Sequence, residues 1–118
     1  MKRHEMIKDR KLFNSIIKES NFNKNKYFVI YIRKNNTSFT NFGIAISKKY
    51  GNAVNRNEIK RKVRAIIDQN RNMFQNGFDY IIMIRKSCEN IEYKVLENEL
   101  TALLKKKGES WKNLKKYY

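Results

Sequence analysis

The sequence predicts an α+β protein, a two-layer α/β sandwich with helices packed on a small mixed sheet. Three observations predict it. Apolar residues recur at helical spacing in separate stretches. Runs rich in β-branched and aromatic residues, of strand length, stand between them. Both kinds of segment share a chain of 118 residues, room for one domain only. The expected order is α-β-β-β-α-β-α, within a single domain covering 1–118.

The elements follow in order. From Asp9 to Glu19, Leu12, Phe13, Ile16 and Ile17 fall on one helical face. The run "KYFVIYIR" (26–33) reads as a strand, with Tyr27, Val29 and Tyr31 facing one way and Phe28, Ile30 and Ile32 the other. "KNNTS" is a polar turn, and "FTNFGIAISK" (39–48) is a second strand region, read as two pieces of a hairpin. Gly51 and Asn52 interrupt it, and a helix is expected from about Ala53 to Asn70. "FDYIIMIR" (78–85) is nearly all apolar, as in a strand covered on both faces. Asn90 reads as the N-cap of a long helix whose stripe is Tyr93, Leu96, Leu100, Leu103 and Leu104, with Gly108 as its stop. The tail "ESWKNLKKYY" reads as a short helix using Trp111 and Leu114.

Charge narrows the function classes. The 27 Lys and Arg against 11 Asp and Glu leave a formal net charge of +16. Ordinary solubility does not need that excess. It points to a polyanionic partner, nucleic acid first and an anionic membrane surface second. Abundant Lys, Asn and Ile with no Pro fit an AT-rich codon bias that inflates Lys, so the arginines are the better probe. Of eight, Arg56, Arg61 and Arg64 fall within nine residues. Guanidinium presents a planar donor fork suited to phosphate. A single Cys88 excludes an intramolecular disulfide framework and a multi-cysteine zinc site. The N-terminal "MKRHEMIKDRK" is too charged for a signal segment, and no apolar run approaches membrane-spanning length. The sequence reads as a soluble, cytoplasmic protein.

On a helix over 53–67, Ile59, Val63, Ile66 and Ile67 form an apolar stripe, and Asn57, Lys60, Arg61 and Arg64 form a second stripe nearly opposite. Like charges four apart repel by about 0.2–0.5 kcal/mol per pair. Glu58 is the only acid nearby. A solvated charge face usually mixes its signs, so an unrelieved ridge makes sense when phosphates supply the counter-charge. A second feature is a possible groove, where Phe13 and Ile17, one helical turn apart, meet Val29 and Tyr31 on one strand face. Spacing alone leaves two readings open, ordinary core or a stacking platform for unpaired bases. Basic groups also gather at Lys2, Arg3, Lys8, Arg10 and Lys11, and at Lys105, Lys106 and Lys107. Catalytic chemistry is not evident. His4 is the only histidine, no nucleophile–base pair stands out, and no glycine-rich phosphate loop is present.

The stretch "SKKYGNAVNRNEIKRKVR" (47–64) resembles the signature of the bacterial ribonuclease P protein component, K-x-G-x-A-V-x-R-N-x-x-K-R-x-x-R. Lys49, Gly51, Ala53, Val54, Arg56, Asn57, Lys60, Arg61 and Arg64 fill it without a miss. Chain length and element order also fit, so the resemblance covers nearly the whole chain. It implies the small basic subunit of an RNA-based endonuclease that removes the 5′ leader of precursor tRNA by metal-assisted hydrolysis, with catalysis in the large RNA and no protein active site. The implied partners are the catalytic RNA and precursor tRNA, and no membrane. A monomer is expected in the absence of RNA, and Mg²⁺ is expected mainly on the RNA.

By the same resemblance, Lys49, Asn52, Arg56, Asn57, Lys60, Arg61 and Arg64 bind the catalytic RNA. Phe13, Ile17, Val29, Tyr31, Ser47 and Lys48 line a leader-binding cleft. Ile17 stands where the family often has an aromatic, and Ala45 where a serine is common. The resemblance also implies a left-handed β-α-β crossover, against the general right-handed preference. Without the signature, composition fits equally a basic ribosomal or other structured-RNA-binding protein with no role in tRNA processing.

Overall fold

The computed structural model describes residues 5–114, with side chains described as far as Lys105. Lys2, Arg3 and His4, and the side chains of Lys106, Lys107, Trp111 and Leu114, lie outside what is described. The elements are α1 (Arg10–Glu19), β1 (Asn21–Lys24), β2 (Phe28–Lys34), β3 (Asn41–Ile46), α2 (Ala53–Gln69), β4 (Phe78–Ile84) and α3 (Tyr93–Leu114). The order is the expected α-β-β-β-α-β-α, reached by a different third strand. Region 39–48 forms one strand, not a hairpin, and the additional strand is β1. Asn21–Lys24 is short and polar apart from Phe22, and its strand character comes from pairing with β2 rather than from its own residues.

The sheet order is β1-β2-β4-β3. β2 pairs antiparallel with β1 and β4, while β3 runs parallel to β4. A parallel neighbour demands a long crossover, and α2 supplies it. One face of the sheet carries Phe28, Ile30, Ile32, Phe42, Tyr80, Ile82 and Ile84, and all are buried. Against it pack Ile59, Val63, Ile66 and Ile67 of α2 and Leu96, Leu100, Leu103 and Leu104 of α3. Both helical stripes are those the periodicity predicts. Phe42, Phe74 and Tyr80 form an aromatic cluster, with Phe74 edge-on to the other two at 5.0 Å.

The opposite face is only partly covered. Asp9 caps α1, its side chain accepting from the Lys11 N–H at 2.9 Å. Ile16 of α1 is fully buried, as is Ile81 of β4, and neither belongs to the main core. Phe13 presses on Gly43 of β3, where a Cβ would stand 2.7 Å from the ring. The helix therefore packs chiefly over β2 and β4, with the Phe13 ring reaching Gly43 of β3, and leaves the rest of that face open.

Two expectations for α3 are corrected. Asn90 is not its cap, since it adopts a left-handed φ of 60° in the turn before a helix that starts at Tyr93. Asn tolerates that conformation better than most residues. Gly108 does not stop the helix, which continues to Leu114. Glycine inside a helix costs about 1 kcal/mol relative to alanine, which the helix-favouring lysines, Glu109 and their neighbours can offset.

Candidate nucleic-acid interface

The helix that carries the cation ridge is capped by Asn52, whose side chain accepts from the Asn55 N–H at 3.0 Å. Asn52, expected at an RNA contact, thus holds a structural position while remaining exposed. Arg61, Arg64 and Asn57 are exposed and Lys60 is half-buried. Neither Arg61 nor Arg64 forms an ion pair or hydrogen bond with the described residues. Within α2, Glu58 lies 3.7 Å from Lys62 on the helix's other flank. Arg61 and Arg64 therefore keep their charge without a carboxylate partner among the described residues.

Arg56 is different. Its guanidinium donates to the Ser47 carbonyl at 2.9 Å and to the Tyr50 carbonyl at 3.4 Å. It ties the first turn of α2 to the loop leaving β3. Tyr50 anchors that loop in the core. Burial, with Cys88, Glu89 and Glu58 nearby, raises its phenol pKa, so the ring stays neutral. Lys48 and Lys49 are held outward on the same loop, both exposed.

That loop also closes one end of a groove on the open face. The groove is lined by Lys24, Lys26, Val29, Ser47, Lys49, Met83, Arg85, Lys86 and Ser87. Sheet register explains the set. Lys24, Val29, Met83 and Ala45 form one continuous cross-strand row, and Phe22, Tyr31, Ile81 and Gly43 form the next. Five cations surround an apolar floor of Val29 and Met83. Arg85 is braced by donating to the Asn25 carbonyl at 2.8 Å. Such a surface suits a single strand whose phosphates meet the rim and whose bases lie on the floor.

The cleft residues expected from sequence are distributed as follows. Val29 and Ser47 line the groove. Tyr31 is in the adjoining row, half-buried. Phe13 and Ile17, also half-buried, belong to the helix beside it. Lys49 rather than Lys48 lines the groove itself, which places the groove next to the Arg56 end of the ridge. Sequence reasoning missed Phe22, Lys24, Met83 and Arg85. The strand "FDYIIMIR" has no alternation to reveal which residues face outward, and β1 carries no strand signal.

The far end of the open face is closed by a polar hub. Asp79, 3% exposed, accepts from Arg33 at 2.9 Å, Asn35 at 3.0 Å and Asn41 at 2.8 Å. Arg33 also reaches Glu19 of α1 at 2.9 Å. Burial opposes the Arg33 charge, and the hydrogen bonds and charges of Asp79 and Glu19 outweigh it, so its pKa rises further.

Residues 1–108 match the sequence profile of the family described as Ribonuclease P. The chain belongs to the ribonuclease P protein family. A ribonuclease P protein component of Streptococcus pneumoniae is 36% identical over 105 residues, which cover 89% of this chain and 85% of that one. The solved ribonuclease P protein of Thermotoga maritima superimposes with a TM-score of 0.78 at 34% identity, over 86% of this chain and 96% of that one. That of Staphylococcus aureus gives 0.79 at 31% identity, over 86% and 93%. Ribonuclease P proteins are components of a tRNA-processing ribonuclease complex and work with the ribonuclease P RNA. The family signature coincides with the loop at Lys49, the capped start of α2 and its cation ridge. Among the described residues no helix is long and apolar enough to cross a membrane.

Proposed function

We propose that this ribonuclease P protein docks on the catalytic RNA through the Arg56–Arg64 face of α2 and holds the 5′ leader of precursor tRNA in the groove. The RNA then performs the Mg²⁺-dependent cut that yields the mature 5′ end. The observation that carries this reading is the pair of exposed guanidinium groups, Arg61 and Arg64, without protein partners among the described residues, on a ridge joined to a cation-rimmed groove through Arg56 and Ser47. Phosphate is the counter-charge such a surface lacks.

The protein's part in this reading is binding and positioning. Among the described residues no group of three or more His, Cys, Asp or Glu side chains could hold a metal ion. The most deeply buried carboxylate among the described residues, Asp79, is committed to Arg33, Asn35 and Asn41. In this reading the Mg²⁺ ions belong to the RNA and substrate.

Reconstitution with the cognate catalytic RNA and a labelled precursor tRNA at low Mg²⁺ tests the reading. The expected result is faster cleavage and tighter binding of precursor than of mature tRNA when the protein is added. Equal behaviour with and without the protein overturns it.

A further inference from the structure

Phe22 stands on β1 directly across from Tyr31 in the antiparallel register. The two rings are 6.0 Å apart, tilted by 45°, and both project from the open face of the sheet. Phe22 nevertheless remains 59% exposed. Two positions along the same strand, Lys24 lies on the same face and lines the groove. The aromatic surface beside the groove therefore does not end at Tyr31. It continues to the outer strand, with a cation next to it.

A solvent-facing aromatic on an edge strand is not unusual by itself. Here it belongs to a row with Tyr31, and that row adjoins the one formed by Lys24, Val29 and Met83. An aliphatic side chain would cover Tyr31 equally well. What the phenyl ring adds is a flat π face turned to solvent, which an unpaired base can stack on without sequence readout.

We propose that Phe22 is a further stacking platform for one unpaired nucleobase of the precursor leader, with Lys24 taking the adjoining phosphate. The assignment rests on the groove reading above and extends it to the β1 edge.

The test uses holoenzyme reconstituted with catalytic RNA, and precursors whose leaders are shortened one nucleotide at a time. Wild-type affinity is expected to drop at the length that removes the Phe22 base. Phe22→Ala is expected to bind long-leader precursor roughly fivefold more weakly or worse, the low end for stacking on an aromatic ring. Its affinity should show no drop at that length. Phe22→Trp should keep the drop. Phe22→Leu preserves apolar cover over Tyr31, and so folding, and should behave like Phe22→Ala. Mature tRNA should bind all variants alike. If Phe22→Ala and Phe22→Leu match wild type at every leader length while Tyr31→Ala weakens binding, the platform is overturned and the groove stands. Insensitivity of wild type to leader length overturns both.

Discussion

The ring of Phe13 lies against the backbone of Gly43, so close that a Cβ at that glycine would sit 2.7 Å from Phe13 Cε2 and 3.1 Å from Ile81 Cγ1. The absence of one methyl group thus sets how near α1 lies to the sheet, in the cross-strand row next to the groove. Gly43→Ala should lower stability by about 1–3 kcal/mol, the usual cost of overpacking, and should weaken preference for precursor over mature tRNA. Urea unfolding and the two tRNA affinities check both effects. A variant that folds and discriminates like wild type would show that Phe13 moves aside without consequence.

Arg61→Ala and Arg64→Ala should leave stability within about 0.5 kcal/mol, because both side chains are exposed and unpartnered among the described residues. Each should weaken assembly with the catalytic RNA and reduce the log–log salt slope by about 1 for each phosphate no longer neutralised. Titration at several salt concentrations is the measurement. Arg56→Ala should differ in kind. It removes hydrogen bonds to the Ser47 and Tyr50 carbonyls, so it should also cost about 1 kcal/mol of stability.

Asp79→Ala should be far more costly, about 3 kcal/mol or more. It strips Arg33, Asn35 and Asn41 of their shared acceptor and leaves a guanidinium largely out of water without its buried partner. Replacing both members, as Arg33→Met with Asp79→Leu, should cost less than Asp79→Ala alone, because no buried charge is left unpaired and Glu19, which loses Arg33, is exposed. Denaturant midpoints of the single and double variants decide this.

Alkaline pH should destabilise the fold through Cys88. Burial pushes its thiol from an ordinary 9.0 up to about 11, partly offset by the Arg85 backbone and charge. The folded chain holds this proton more tightly than the unfolded chain. The contribution is therefore complete below pH 9 and is lost as pH rises towards 11. Two pKa units correspond to about 3 kcal/mol. Unfolding free energies across that window should fall less steeply for Cys88→Ala than for wild type. Tyr80, pushed by burial up to about 12, adds a loss of the same sign at higher pH that both proteins share.

The cation ridge was legible because it is local. Ile59, Val63, Ile66 and Ile67 against Arg61 and Arg64 is a pattern written within one helix, and the structure buries the first set and exposes the second. The core stripe of α3 was legible for the same reason, whereas its ends were not. Asn90 carries the right side chain for a cap but a left-handed backbone, and Gly108 is tolerated inside a helix.

By itself, the sequence determined the fold class, the three helices and the strands at 28–34 and 78–84, the buried faces of α2 and α3, and the surplus of positive charge on α2. Only the tertiary structure decided that Phe22 becomes part of a strand, that Met83 and Val29 share an apolar floor, and that Asp79 meets Arg33 from 46 residues away. The reason is the range of the forces involved. Helical faces follow from a period repeated every few residues, while strand faces and the groove between them depend on which distant segment supplies the next hydrogen-bonded row.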